Sequence, residues 1–233
     1  MSATRSMPPN AAWTFGGATP GAFDEHVARS VPLYDEGHEL VVNLSDFFLS
    51  EGSTCYELGC STGALIMKIA LHHRDVTLRA FGIDVEQDMI AFARAHPEQA
   101  RVTFLQGDIP DITLEPCDLI VAYYTLQFVR PRHRQQVFDR IYEALNWGGA
   151  LLLFEMVRAA DARFQDVMSA LYVDYKLRAG YRSDEIVAKS RSLKGVLEPF
   201  STQANVDMMR RAGFEDVMSV MKYVCFEGFL AIK

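Results

Sequence analysis

The chain has 233 residues, 49% of them apolar, which suits one sizeable α/β core better than two small ones. No stretch approaches the ~18 uninterrupted apolar residues of a membrane span, and Met1 to Asn10 lacks the apolar centre of a secretory signal. Formal net charge is -7 with lysine and arginine scattered, so there is no basic stripe of the kind that phosphate backbones attract, and direct nucleic-acid binding is not expected.

Residues 1–22 read as a disordered leader, because Gly16, Gly17, Pro20 and Gly21 break any period, and a single domain is expected over 23–233. Glu36 to Leu49 spaces Leu40, Val41, Leu44, Phe47 and Phe48 as a helix does. Thr54 to Leu58 is a short strand ending in Gly59-Cys60-Ser61-Thr62-Gly63, followed by a helix over Ala64 to His72. A second strand (Thr77 to Ile83), a helix (Gln87 to Ala95) and a third strand (Val102 to Gln106) come next. Leu119 to Tyr123 is a buried strand, Arg132 to Leu145 a helix, and Ala150 to Glu155 a strand that is apolar until its last residue. Asp161 to Lys194 interrupts the alternation with a long, mostly helical insertion. Ala204 to Ala212 is the last helix, stopped by Gly213. Val217 to Phe226 and Phe229 to Ile232 are expected to form an antiparallel edge hairpin around Glu227-Gly228. Strand and helix in alternation imply a mostly parallel sheet covered on both faces.

Cys55, Cys60, Cys117 and Cys225 form no CxxC pair and read as reduced thiols of a cytoplasmic protein. His72 and His73 are adjacent and cannot share a helix face as i, i+4 ligands do, so no metal site is expected.

The informative segment is Tyr56-Glu57-Leu58-Gly59-Cys60-Ser61-Thr62-Gly63 at a strand-to-helix turn, where Gly59 and Gly63 admit a ligand close to the backbone. Gly82-Ile83-Asp84 puts a carboxylate at the end of the next strand, suited to both hydroxyls of a ribose. Gly107-Asp108-Ile109 then supplies an acid for an adenine amino group and an Ile109 N–H for a ring nitrogen. Successive strands bring the three to one crevice. A dinucleotide site would show GxGxxG, whose helix N-terminus holds a pyrophosphate. The pattern here is ExGxxxG, which fits S-adenosylmethionine (SAM), a nucleoside with a sulfonium and an amino-acid tail instead of phosphates. Singly, the glycines are turn residues, Asp84 a helix N-cap and Asp108 a loop acid; in conjunction they point to SAM, with S-adenosylhomocysteine as product. Met89 either packs near the adenine or belongs to the helix core.

The chain is similar to the bacterial carboxy-SAM synthase family from about Phe23 onward. The most specific stretches are Arg29-Ser30-Val31-Pro32-Leu33-Tyr34, Leu58-Gly59-Cys60-Ser61, Gly107-Asp108-Ile109, Thr125-Leu126-Gln127-Phe128 and Asn146-Trp147-Gly148-Gly149-Ala150. The resemblance implies a class I methyltransferase (Rossmann-like) fold: a seven-stranded, mostly parallel sheet with an antiparallel C-terminal hairpin. It also implies a helical lid over about 157–201, a homodimer, and Tyr34, Asp84, Asp108 and Ile109 against the cofactor; Glu57, Gly59, Cys60, Ser61, Gly63, Met89 and Tyr123 are the further cofactor-binding candidates. Two positions depart. The family's asparagine is Tyr123 here, and the family arginine that holds the extra carboxylate of the product falls on Ser190, with Arg191 one residue later. One residue turns a helical side chain by ~100°.

These departures favour a methyltransferase acting on a small-molecule acceptor by direct in-line transfer. The alternative is carboxy-SAM synthesis from SAM and prephenate, and a second alternative is a non-catalytic SAM-binding paralogue. Tyr123, Tyr124 and Gln127, with Tyr172, Tyr175 and Tyr181 of the lid, are candidates to line the acceptor pocket. The catalytic candidates are Tyr123, Glu155 as a base or else a structural acid, and Arg191 as a clamp for an anionic acceptor or else a solvated helix residue.

Overall fold

A computed structural model describes residues 20–233. Its helices are α1 (Pro20–Ser30), α2 (Tyr34–Ser45), α3 (Ala64–His72), α4 (Gln87–Ala95), α5 (Pro131–Ala144), α6 (Ala162–Arg178), α7 (Ser183–Ser192) and α8 (Thr202–Ala212). Its strands are β1 (Thr54–Leu58), β2 (Arg79–Asp84), β3 (Val102–Gln106), β4 (Cys117–Tyr123), β5 (Leu145–Met156), β6 (Asp216–Tyr223) and β7 (Phe226–Ile232).

The strands form one sheet in the order β3-β2-β1-β4-β5-β7-β6. The first five in that order run parallel, and β7 is antiparallel to both β5 and β6. This is the class I methyltransferase architecture expected. The strand order reverses direction between β1 and β4, and that crevice is where such sheets bind ligands.

Both faces of the sheet are covered, which explains why β1 and the central part of β5 are buried without alternation. On one face Val41, Leu65, Ile66, Ile69 and Ile90 from α2, α3 and α4 close a core over β1 and β4. On the other, Phe138, Ile141, Met208, Met209 and Phe214 do so from α5, α8 and the turn after it. α6 and α7 form the lid, and none of the α6 residues is buried.

Two expectations are corrected, and a third is refined. Leader residues 1–19 lie outside the described residues, but Pro20, Gly21 and Ala22 already belong to α1, since proline is tolerated in a first helical turn. The insertion is mostly helical as expected, as two helices separated at Gly180, which takes φ 86. The C-terminal hairpin turns at Val224-Cys225, with Val224 at φ 52, while Glu227-Gly228 lies inside β7. Gly228 is there because the Phe154 ring occupies the space a Cβ would need, 2.5 Å away.

Candidate active site

A cavity of about 300 Å³ lies over the carboxyl ends of β1, β2 and β4, closed from above by α1 and α7. Its floor at one end is the loop after β1. Gly59 takes φ 74, and a Cβ there would collide with the Thr125 side chain. The Gly59 and Cys60 N–H groups donate to the Ile83 carbonyl at 2.7 and 2.9 Å, locking the loop to the end of β2. The Asp84 carboxylate accepts from Ser61 N–H at 2.8 Å and Glu86 N–H at 2.9 Å. Burial pushes its pKa up while those N–H groups pull it back. Each of its oxygens has further lone-pair capacity for a ribose hydroxyl. Asp108 and Ile109 line the same end, as does Met89, whose sulfur receives the Ser61 hydroxyl at 3.7 Å.

Glu57 also lines the cavity, but its carboxylate is committed to Ile66 N–H at 2.9 Å in the first turn of α3, and burial holds its pKa well above the ordinary value. Gly63 is not on the cavity wall. At φ 79 its missing Cβ makes room for the Phe104 ring, 2.7 Å away, so the demand for glycine comes from packing rather than from a ligand.

Tyr34 and Tyr123 line the cavity with their rings. The Tyr123 hydroxyl, however, donates to the Tyr34 carbonyl at 2.7 Å, and a Cβ at Gly37 would collide with it. Tyr123 therefore offers the cavity an aromatic wall and no proton-transfer group, and burial pushes its pKa further up. Tyr124 follows at φ 56, and its buried hydroxyl has no hydrogen-bond partner among the described residues.

Glu155 is not on the wall and is not placed to act as a base on a bound acceptor. It is 2% exposed and accepts from Gln127 N–H at 3.2 Å, and burial pushes its pKa up to about 8 against the downward pull of the Arg134 charge. Gln127 lines the cavity, yet its amide is spent bracing the backbone, donating to the Tyr124 carbonyl at 3.0 Å and accepting from Met156 N–H at 2.9 Å.

Arg191 is exposed on α7 and does not line the cavity; Ser190 is exposed too. Lys189 is the residue on the inner face, one helical position earlier. Its Nζ lies 2.8 Å from His26 Nε2 and 3.1 Å from Ser30 Oγ, and burial pushes its pKa down to about 8. Reading the stretch for a guanidinium alone missed it. Of the lid tyrosines Tyr172 lines the cavity, whereas Tyr175 and Tyr181 do not. The opposite end from Asp84 and Asp108 adds Met156, Leu193, Leu197 and Phe226, which the sequence did not single out.

Outside the cavity, Asp46, His72 and His73 bring ligand-capable atoms within 4.8 Å of one another. The adjacency argument against such convergence fails because α3 ends at His72. His73, at φ -88 and ψ 30, turns back toward the end of α2, with Nε2 2.8 Å from Ser45 Oγ.

A sheet of this order, with acids at the ends of two neighbouring strands and a glycine loop after β1 lining one cavity, is the class I SAM-dependent methyltransferase fold. Residues 56–149 match the family described as Methyltransferase domain. The chain is 35% identical over 227 residues, 97% of its length and 96% of the relative's, to the carboxy-S-adenosyl-L-methionine synthase of Campylobacter jejuni subsp. jejuni serotype O:23/36 (strain 81-176). It is 37% identical to the enzyme of that name from Wolinella succinogenes, over 91% of this chain and 90% of the relative. Among solved structures, an O-methyltransferase family protein from Burkholderia thailandensis superposes with a TM-score of 0.67 at 20% identity, covering 98% of this chain and 65% of that one. The chain belongs to the carboxy-S-adenosyl-L-methionine synthase family, and its cofactor is SAM.

Proposed function

We propose that this chain transfers the methyl group of SAM to a small-molecule acceptor by in-line displacement. The observation that carries the reading is the make-up of the far end of the cavity. Met156, Tyr172, Leu193, Leu197 and Phe226 line it together with Tyr124, whose ring meets Phe226 edge-on at 5.7 Å, and no arginine lines the cavity among the described residues. An extra carboxylate on the donor would meet apolar surface where a bidentate guanidinium is needed.

Bound SAM supplies an activated methyl on a sulfonium, so the chain need only position and dehydrate. Asp84, Asp108 and the backbone of Gly59 to Ser61 anchor the nucleoside. Tyr34, Tyr123 and Tyr124 present aromatic faces, which favour a sulfonium electrostatically. The acceptor's nucleophile must be held ~3–3.5 Å from the methyl carbon with water excluded, a task suited to the apolar, lid-covered end.

Lys189 is the observation favouring the second reading, the activity named for the relatives. Its amine is a single cation on the wall, and the lid carries it where an anion would enter. The deciding experiment incubates the protein with SAM, with and without prephenate, and identifies the nucleoside products by mass spectrometry. Carboxylated SAM would overturn the methyltransferase reading. S-adenosylhomocysteine formed only with an added apolar acceptor, and unaffected by prephenate, supports it.

A further inference from the structure

His38 stands on α2, is 2% exposed and lines the cavity. Its ring packs at 4.6 Å from Tyr34 and 4.7 Å from Tyr123, centroid to centroid. Lys68 of α3 lies behind it, with Nζ 3.3 Å from Nδ1. A lysine ammonium only donates, so Nδ1 is the accepting nitrogen and Nε2 carries the proton. That Nε2–H has no partner among the described residues. A buried donor left without an acceptor is destabilising, and its place on a ligand cavity makes the ligand the natural source of one. Burial and Lys68 hold the His38 pKa down at about 3, so the ring is a neutral donor at any working pH.

The position along the cavity says which part of the ligand this is. Asp84 ends β2, Tyr123 ends β4, and β1 lies between them. With ribose and adenine held at Asp84 and Asp108, the other end of SAM runs past the end of β1 toward Tyr123. That end is an amino acid. Its ammonium has only donors and cannot accept the His38 N–H, whereas its carboxylate can. The other basic side chains on the wall, His26 and Lys189, belong to α1 and α7 above it.

We propose that His38 is a cofactor-binding residue whose Nε2–H donates to the carboxylate of the SAM methionine tail, with Lys68 polarising the ring from behind. The Lys68-imidazole pair delivers the influence of a surface cation to a buried anion without burying the ammonium. No acceptor chemistry enters, so this assignment stands or falls independently of the function proposed above.

The test compares two ligands by calorimetry: S-adenosylhomocysteine, which carries the tail, and 5′-methylthioadenosine, which lacks it. His38→Phe keeps a ring between Tyr34 and Tyr123 but removes the donor. It is expected to weaken S-adenosylhomocysteine roughly 10- to 100-fold, the worth of a hydrogen bond to a charged group, and to leave methylthioadenosine within about twofold. Equal losses for both ligands, or no loss for either, overturn the assignment. Should His38→Phe not fold, Lys68→Met at an exposed position gives the same reading. A selective loss of about threefold for S-adenosylhomocysteine is expected, and no selectivity between the two ligands overturns it.

Discussion

Glu155 makes a prediction whose sign is opposite to ordinary carboxylate behaviour. A surface acid paired with a cation stabilises a protein as pH rises. Glu155 is 2% exposed, and its carboxyl titrates at about 8 in the fold against 4.5 in its ordinary state. Between those values the folded chain binds a proton that the unfolded chain has released, so stability falls as pH rises through the window. The shift corresponds to roughly 1.4 kcal/mol per pH unit, and at most about 5 kcal/mol across the whole interval. Below about pH 4.5 the contribution is fully present, and above about 8 it is gone. Glu155→Gln keeps an oxygen for Gln127 N–H and abolishes the titration. Urea denaturation of both proteins from pH 5 to pH 9 reads the effect as the difference between two curves, in which every other ionisable group cancels. The wild type is expected to lose ground against Glu155→Gln steadily up to about pH 8 and then run parallel. A difference independent of pH would mean that Glu155 is ionised throughout, paired with Arg134, and would refute the argument that burial governs it.

Asp84→Ala removes the acceptor for the ribose hydroxyls. Calorimetry should show S-adenosylhomocysteine binding weakened roughly 10- to 100-fold, with circular dichroism checking that the loop around Ser61 has not unfolded; unchanged affinity would remove the cofactor from this crevice. The homodimer implied by family resemblance is proposed to form on α6, where Phe164, Val167 and Leu171 are 59%, 52% and 45% exposed along one side of the helix. Sedimentation should show a dimer at micromolar concentration that Leu171→Glu converts to monomer, and a monomeric wild type would end the idea.

Much of the fold was legible because the signals were local. α3, α4 and β3 run as the periodicity predicts, and the loop after β1 with the acids after β2 and β3 converges on one cavity. The failures have a common physical origin in tertiary packing. Gly63 and Gly228 look like turn or ligand glycines but are shaped by Phe104 and Phe154, residues distant in the chain. Glu155 sits at a strand end, where catalytic acids often stand, yet the backbone of Gln127 turns it inward. Ser190 and Arg191 were compared for reach, but the phase of α7 puts Lys189 inside instead. His38 gave no signal because a histidine between Gly37 and Glu39 reads as part of a solvated helix face; only the packing of α2 against α3 and β4 buries it.

The collision that a Cβ at Gly37 would make with the Tyr123 hydroxyl also has a historical consequence. With a side chain at residue 37 the Tyr123 ring would have to shift and give up its hydrogen bond to the Tyr34 carbonyl, and a helical glycine has a cost of its own, at most about 0.5–1 kcal/mol relative to alanine. The two positions, 86 residues apart in the chain, should therefore behave as a linked pair among relatives: tyrosine at one accompanied by glycine at the other, and a larger residue on α2 accompanied by a shorter side chain after β4. Such a pair would mark a lineage whose pocket was rebuilt in concert, in which restoring either ancestral residue alone is more damaging than restoring both.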